Sequence, residues 1–125
     1  MRRWTLAVAG LVLAMSASAQ SIIDFDDWMQ RIEDASLRLQ KRIDARDRTR
    51  GVHDAREIED LYARMEKFFR VREAHADAIR LSKEGKDLAI AIRVALDAGK
   101  IDAARARTKD LRRDCRTCHL QFKPL

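Results

Sequence analysis

Cys115, Cys118 and His119 stand in the order C-x-x-C-H, six residues before the end of the chain as given. This is the pattern by which a c-type haem is attached. Two thiols add across the two vinyl groups of one porphyrin, so they must lie a few ångströms apart on one face. Residues three and four apart are neighbours on a helix, so Cys115 and Cys118 can meet one ring edge. His119 follows directly and offers an imidazole as axial ligand to iron. The expected cofactor is one covalently attached haem c.

Other uses of the motif fit less well. A structural zinc site needs four Cys or His ligands. The chain has two Cys and three His, and His53 and His75 lack metal-site spacing. A thioredoxin-like redox pair expects a βαβ context, whereas a long charged helical pattern precedes Cys115. A structural disulfide is the plain alternative, and it leaves the adjacent His119 without a role.

The opposite end of the chain speaks of compartment. Arg2 and Arg3 precede an apolar run from Trp4 to Met15, followed by Ser16-Ala17-Ser18-Ala19. A positive start, a short apolar stretch and an A-x-A site make a secretory signal peptide, with cleavage expected after Ala19. The run is too short to span a bilayer comfortably, and no second one follows, so no integral membrane span is expected. The predicted location is the periplasm.

Residues 20–125 then form one domain of 106 residues, the 125 less the 19 of the signal peptide. In so small a domain a prosthetic group would make up a large share of the core. The formal charge of +6 includes Arg2 and Arg3; without them 24 basic residues face 20 acidic ones, a net +4. Such a balance is no sign of a nucleic-acid binder. It is compatible with steering toward an acidic redox partner protein.

The positioning elements are helices. Ala, Leu, Ile and charged residues dominate, with one Pro and four Gly. The first helix is expected to start at Ser21 or Asp24. It carries Phe25, Met29, Ile32, Ser36, Leu39 and Ile43 in steps of four and three, a single buried seam. It should end near 46–50, with a connection at Gly51 to Asp54 and Asp54 as the next N-cap. The second helix carries Ile58, Leu61, Met65 and Phe68, widened by Tyr62 and Phe69. The third carries Leu81, Leu88, Ile92 and Ala95, with Gly85 inside it and Gly99 as its stop. The fourth, capped by Asp102 and ended by Pro124, carries Ile101, Ala104, Thr108, Leu111, Cys115, Cys118 and Phe122. Both cysteines therefore sit on the face that points inward. Four helices with short links predict an all-α, antiparallel up-down four-helix bundle.

Nearly all of the chain after the signal peptide, and most strongly Lys86 to Lys123, resembles the cytochrome c prime family, secreted four-helix-bundle cytochromes with one haem near the C-terminus. An Ala/Leu-rich helix, the turn Ala98-Gly99-Lys100-Ile101-Asp102 and the ending C-R-x-C-H-x-x-F-K carry the likeness. Arg116 and Phe122 match positions of that family's haem site. Lys123 stands where the family commonly has Arg, keeping the charge without the planar fork.

The resemblance implies that a residue of the first helix fills the sixth position on iron, and the residue that falls there is Met29. A Met ligand goes with low-spin relatives that look like electron carriers, and one-electron transfer is the expected function. Met65 is a second candidate ligand. With no protein ligand, iron would be five-coordinate and bind gases such as nitric oxide or carbon monoxide. A peroxidase would need a distal His beside an Arg. Arg31 is near Met29, but the first helix has no His, and an enzyme is not expected. The resemblance also implies a homodimer through the first two helices.

Overall fold

The computed structural model describes residues 16–72 and 76–122. Residues 1–15, His75 and Pro124, which carry parts of the expectations above, lie outside the described residues, as does the side chain of Phe122. The described residues form four helices and no strand: α1 (Ser16–Asp44), α2 (Arg48–Val71), α3 (Ala76–Asp97) and α4 (Ile101–Phe122). None of them is long and apolar enough to cross a membrane.

Each helix packs on its neighbours in chain order, α4 closes the ring against α1, and the backbones of diagonal helices stay apart. The contacts run in opposite directions along each pair. On α1 and α2, Arg31 reaches Glu57 while Arg42 reaches Asp54, and Phe25 lies against Phe68 and Phe69. On α2 and α3, Lys86 meets Glu66 and Arg93 meets Glu59. On α4 and α1, Arg105 meets Asp44 and Arg112 meets Gln40. This is an up-down four-helix bundle.

The 3–4 spacing of apolar residues determines what is buried. All six seam positions expected on α1 are buried, from Phe25 to Ile43. Ile58, Leu61, Met65, Ile92, Leu96, Ala104 and Leu111 complete the centre. Three serine and threonine hydroxyls share this core, and each is satisfied by its own helix. Ser36, Ser82 and Thr108 donate to the carbonyls of Ile32, Ala78 and Ala104, at 2.7, 2.8 and 2.8 Å.

Several helix ends differ from expectation. α1 begins at Ser16, so Ser21 and Asp24 lie inside it instead of capping it. Its C-terminus comes earlier, at Asp44, because Arg46 adopts φ 57° and closes a Schellman motif. There Arg46 N–H bonds the Ile43 carbonyl at 3.1 Å and Asp47 N–H the Arg42 carbonyl at 2.8 Å. Asp47, not Asp54, caps α2, its side chain accepting from Arg50 N–H at 3.2 Å. Gly51 is therefore no link but a buried residue of α2, and a Cβ there would stand 3.0 Å from Leu96 Cδ1. Asp54 is buried among the α1 arginines, with Arg38 Nε at 3.3 Å.

On α3 the buried stripe runs through Ala78, Leu81, Ser82, Gly85, Ala89, Ile92, Ala95 and Leu96, and Leu88 is only half-buried. Gly99, at φ 72°, stops that helix as expected, in the same motif as Arg46. Asp102 does not cap α4. It lies in the first turn, exposed and paired with Arg105.

Candidate functional site

The α1–α4 contact is the thinnest in the ring. There the helices part around a cleft of about 320 Å³ in the half of the bundle that holds the C-terminal part of α4. Met29, Ile32, Glu33, Ser36 and Leu37 of α1 form one wall. Arg112, Cys115, Arg116, Cys118 and His119 of α4 form the other, and Tyr62 of α2 reaches in between.

The placement follows from register. Steps of four and three carry the seam of α4 from Leu111 to Cys115 and Cys118, so both sulfurs inherit the inward face. Cys118 is 4% exposed, and Cys115 and His119 are half-buried. Met29 inherits the inward face of α1 in the same way and is 7% exposed. The cleft thus brings together Cys115, Cys118, His119, Met29 and Arg116. Arg116 is exposed at its rim.

Other sequence candidates lie elsewhere. Met65 is 1% exposed in the core and does not border the cleft. His53 is exposed beside Asp54 in the other half of the bundle. Phe25, Phe68 and Phe69 form an aromatic cluster between α1 and α2, with Trp28 edge-on to Phe68 at 6.1 Å. Phe25 and Tyr62 are both buried within the chain.

Three residues had no assigned role in the site. Tyr62 places its hydroxyl 3.2 Å from Cys115 Sγ. Gly85 makes room for it: a Cβ there would come within 2.4 Å of the Tyr62 ring. Asp114 is 8% exposed, and its Oδ2 has no hydrogen-bond partner. A polar residue beside the seam of α4 was the available signal for Asp114, but it looks like any solvated position. Gly85 was visible as a helical glycine in need of a reason.

Burial governs the electrostatics. It pushes the Cys118 thiol up to about 11, helped by the charges of Asp114 and Cys115. It raises Cys115 too, against the pull of the Tyr62 hydroxyl. Tyr62 itself is raised well above the ordinary phenol value, by burial first and then by Cys115. Asp114 is raised to about 7 by burial and by Glu84, with Arg80 opposing. Burial thus favours the protonated form of both thiols. Among the described residues, no three His, Cys, Asp or Glu side chains are grouped to hold a bare metal ion.

The same donors fit a porphyrin joined through carbon–sulfur bonds. That use takes two thiols on one helix face, an imidazole beside them and apolar side chains opposite, which Met29, Ile32 and Leu37 provide alongside Glu33 and Ser36. No protein-family model matches the chain, and neither curated proteins nor solved structures show a match.

Proposed function

We propose that this chain is an exported monohaem c-type cytochrome whose work is one-electron transfer. One observation supports it above the rest: Cys115, Cys118, His119 and Met29, drawn from opposite ends of the sequence, border one cleft. Cys115 and Cys118 would hold the haem through thioethers. His119 would ligate its iron, and Met29, on the facing helix, would supply the sixth ligand. The haem, when bound, supplies a one-electron couple between ferric and ferrous iron.

The chain's own part is to hold and tune. The i, i+3 spacing holds both sulfurs on one face of a rigid helix. His119 sits on the same helix, so three attachment points share one frame. Met29 comes from a seam whose neighbours Phe25 and Ile32 are also buried, which restricts its movement. Fixed ligands keep the rearrangement between oxidation states small. A thioether ligand favours the reduced state and closes the site to gases. Arg116 and Arg112 at the cleft border offer positive charge to propionates or to an acidic redox partner.

The test is the absorption spectrum of protein matured in cells able to attach haem, ferric and ferrous, with and without carbon monoxide. A low-spin spectrum with a Met-to-iron charge-transfer band, unaffected by carbon monoxide and lost in Met29→Ala, is the expected result. A high-spin spectrum that shifts at once would remove Met29 as ligand and turn the reading to gas binding. No haem at all would overturn it.

A further inference from the structure

The Tyr62–Cys115 contact is built from three helices. Tyr62 comes from α2 and is 3% exposed. Its hydroxyl lies 3.2 Å from Cys115 Sγ on α4. Gly85 on α3 lies under its ring, with Cζ, Cε1 and Cε2 at 2.4, 2.5 and 2.7 Å from where a Cβ would stand. Only a residue without a side chain leaves the ring in place. A glycine inside a helix costs about 1 kcal/mol against alanine, and here that cost secures the position of one phenol.

A buried phenol needs a partner for its hydroxyl. The only hydrogen bond found for it among the described residues is to sulfur, although a carbonyl or carboxylate would be a stronger acceptor. With a free thiol, either group can donate. With a thioether the sulfur has no hydrogen, so the phenol must be the donor.

We propose that Tyr62, seated on Gly85, is a positioning residue for the Cys115 sulfur, holding it by a hydrogen bond in both its thiol and its thioether form. The thioether half rests on the haem reading above; the contact itself does not. A hydroxyl hydrogen aimed at the sulfur puts the positive end of a dipole against one edge of the ring. That favours ferrous over ferric iron. Tyr62 thereby becomes a determinant of potential that is not an iron ligand. Cys118, one turn on, has no such donor among the described residues, so the two attachment points differ electronically.

The test is Tyr62→Phe in the full chain, which removes one oxygen and keeps the ring. In haem-loaded protein the ferric/ferrous ratio at fixed ambient potential should move about threefold toward ferric. At 59 mV per tenfold for one electron this is about 28 mV. The resonance Raman carbon–sulfur stretch should shift as well, and the iron ligands and spin state should stay as they were. An unchanged potential and stretch, or a shift toward ferrous, would overturn the proposal.

If the chain carries no haem, the haem reading fails and the contact is still measurable. In a Cys118→Ser background, iodoacetamide should label Cys115 several-fold more slowly at pH 8 after Tyr62→Phe, because the thiolate has lost a donor. An equal or faster rate would overturn the contact. Gly85→Ala should reproduce either effect by displacing the ring. If it leaves both readouts at the wild-type value, Gly85 is not the seat and the proposal fails.

Discussion

The two halves of this bundle are built to different standards. In the half that holds the α1–α2 and α3–α4 links, the core is sealed. Leu39, Ala55, Ile58, Leu96 and Ala104 are fully buried. Arg48 bonds the carbonyls of Leu96 and Asp97 at the end of α3, at 2.9 and 2.7 Å. The two unbonded polar atoms of this sealed half, Arg42 Nε and Asp54 Oδ2, face each other as opposite charges at 3.7 Å. The other half holds the cleft, two thiols, a phenol whose partner is sulfur and the Asp114 Oδ2 with no partner. Polar groups in such a place are costly unless satisfied. The sealed half therefore provides stability, and the cleft half gives some up to keep chemistry-bearing groups together.

Deletions in each half measure that contrast. Leu96→Ala should cost about 3–4 kcal/mol, within the range for a fully buried leucine. Ile32→Ala, at a cleft wall, should cost about half as much in haem-free chain, because part of the space it leaves adjoins an existing opening. Urea unfolding of both variants gives the comparison. Loading haem should narrow the gap, since a filled cleft makes Ile32 an ordinary core residue. Equal costs in haem-free chain would mean that the halves do not differ.

Gly85 probes the boundary between them. Gly85→Ala should destabilise by about 2 kcal/mol, as overpacking of a core does. The helix-propensity gain of alanine, about 1 kcal/mol, is too small to offset a 2.4 Å approach to a ring. In a Tyr62→Leu background the same change should be neutral or stabilising. Additivity in the double-mutant cycle would show that Gly85 has some other purpose.

Asp114 sharpens the contrast with Glu66. Glu66 is also buried, and burial pulls it upward, but Lys86 at 3.0 Å and Arg70 at 3.3 Å outweigh that and hold it below the ordinary value. Asp114 lacks such partners and is raised from 3.8 to about 7, by burial and then by Glu84. A raised carboxyl keeps its proton in the folded state where the unfolded state has lost it. Stability should therefore fall as pH rises from about 4 to about 7 and level off above. Asp114→Asn should match the wild type only below about pH 4, where the folded and unfolded wild type both hold the proton, and should pull ahead as pH rises. At pH 8 it should be more stable, by about 1–2 kcal/mol, the usual cost of an unsatisfied buried group. Thermal unfolding at the two pH values reads the difference.

What was legible in the sequence follows the same division. Seams were readable because burial repeats every three or four residues, and Met29, Cys115 and Cys118 came with them. Gly99 was readable because glycine is the usual residue at a positive φ. The α1–α2 link was not. Its stop is an arginine and its cap lies among charges, while Gly51, the residue that looked like punctuation, packs under Leu96. Tyr62 looked like seam width, and its bond to Cys115 spans 53 positions. No local pattern encodes such a pairing.

The smallest effect is expected where the sealed half departs from its own best solution. Arg46 and Gly99 occupy equivalent places in two Schellman motifs, at φ 57° and 72°. A side chain in this conformation costs about 1–2 kcal/mol. Glycine avoids that strain but loses about 0.5–1 kcal/mol more chain entropy on folding. The first effect is the larger, so Arg46→Gly should stabilise by about 0.5–1 kcal/mol and Gly99→Ala should destabilise by a similar amount. Arg46 is exposed, so its loss removes little packing. Both changes lie far from the cleft, and neither should move the potential or the spectrum. If Arg46→Gly destabilises instead, the arginine side chain contributes more than its backbone strain removes, and the two links are not the same device.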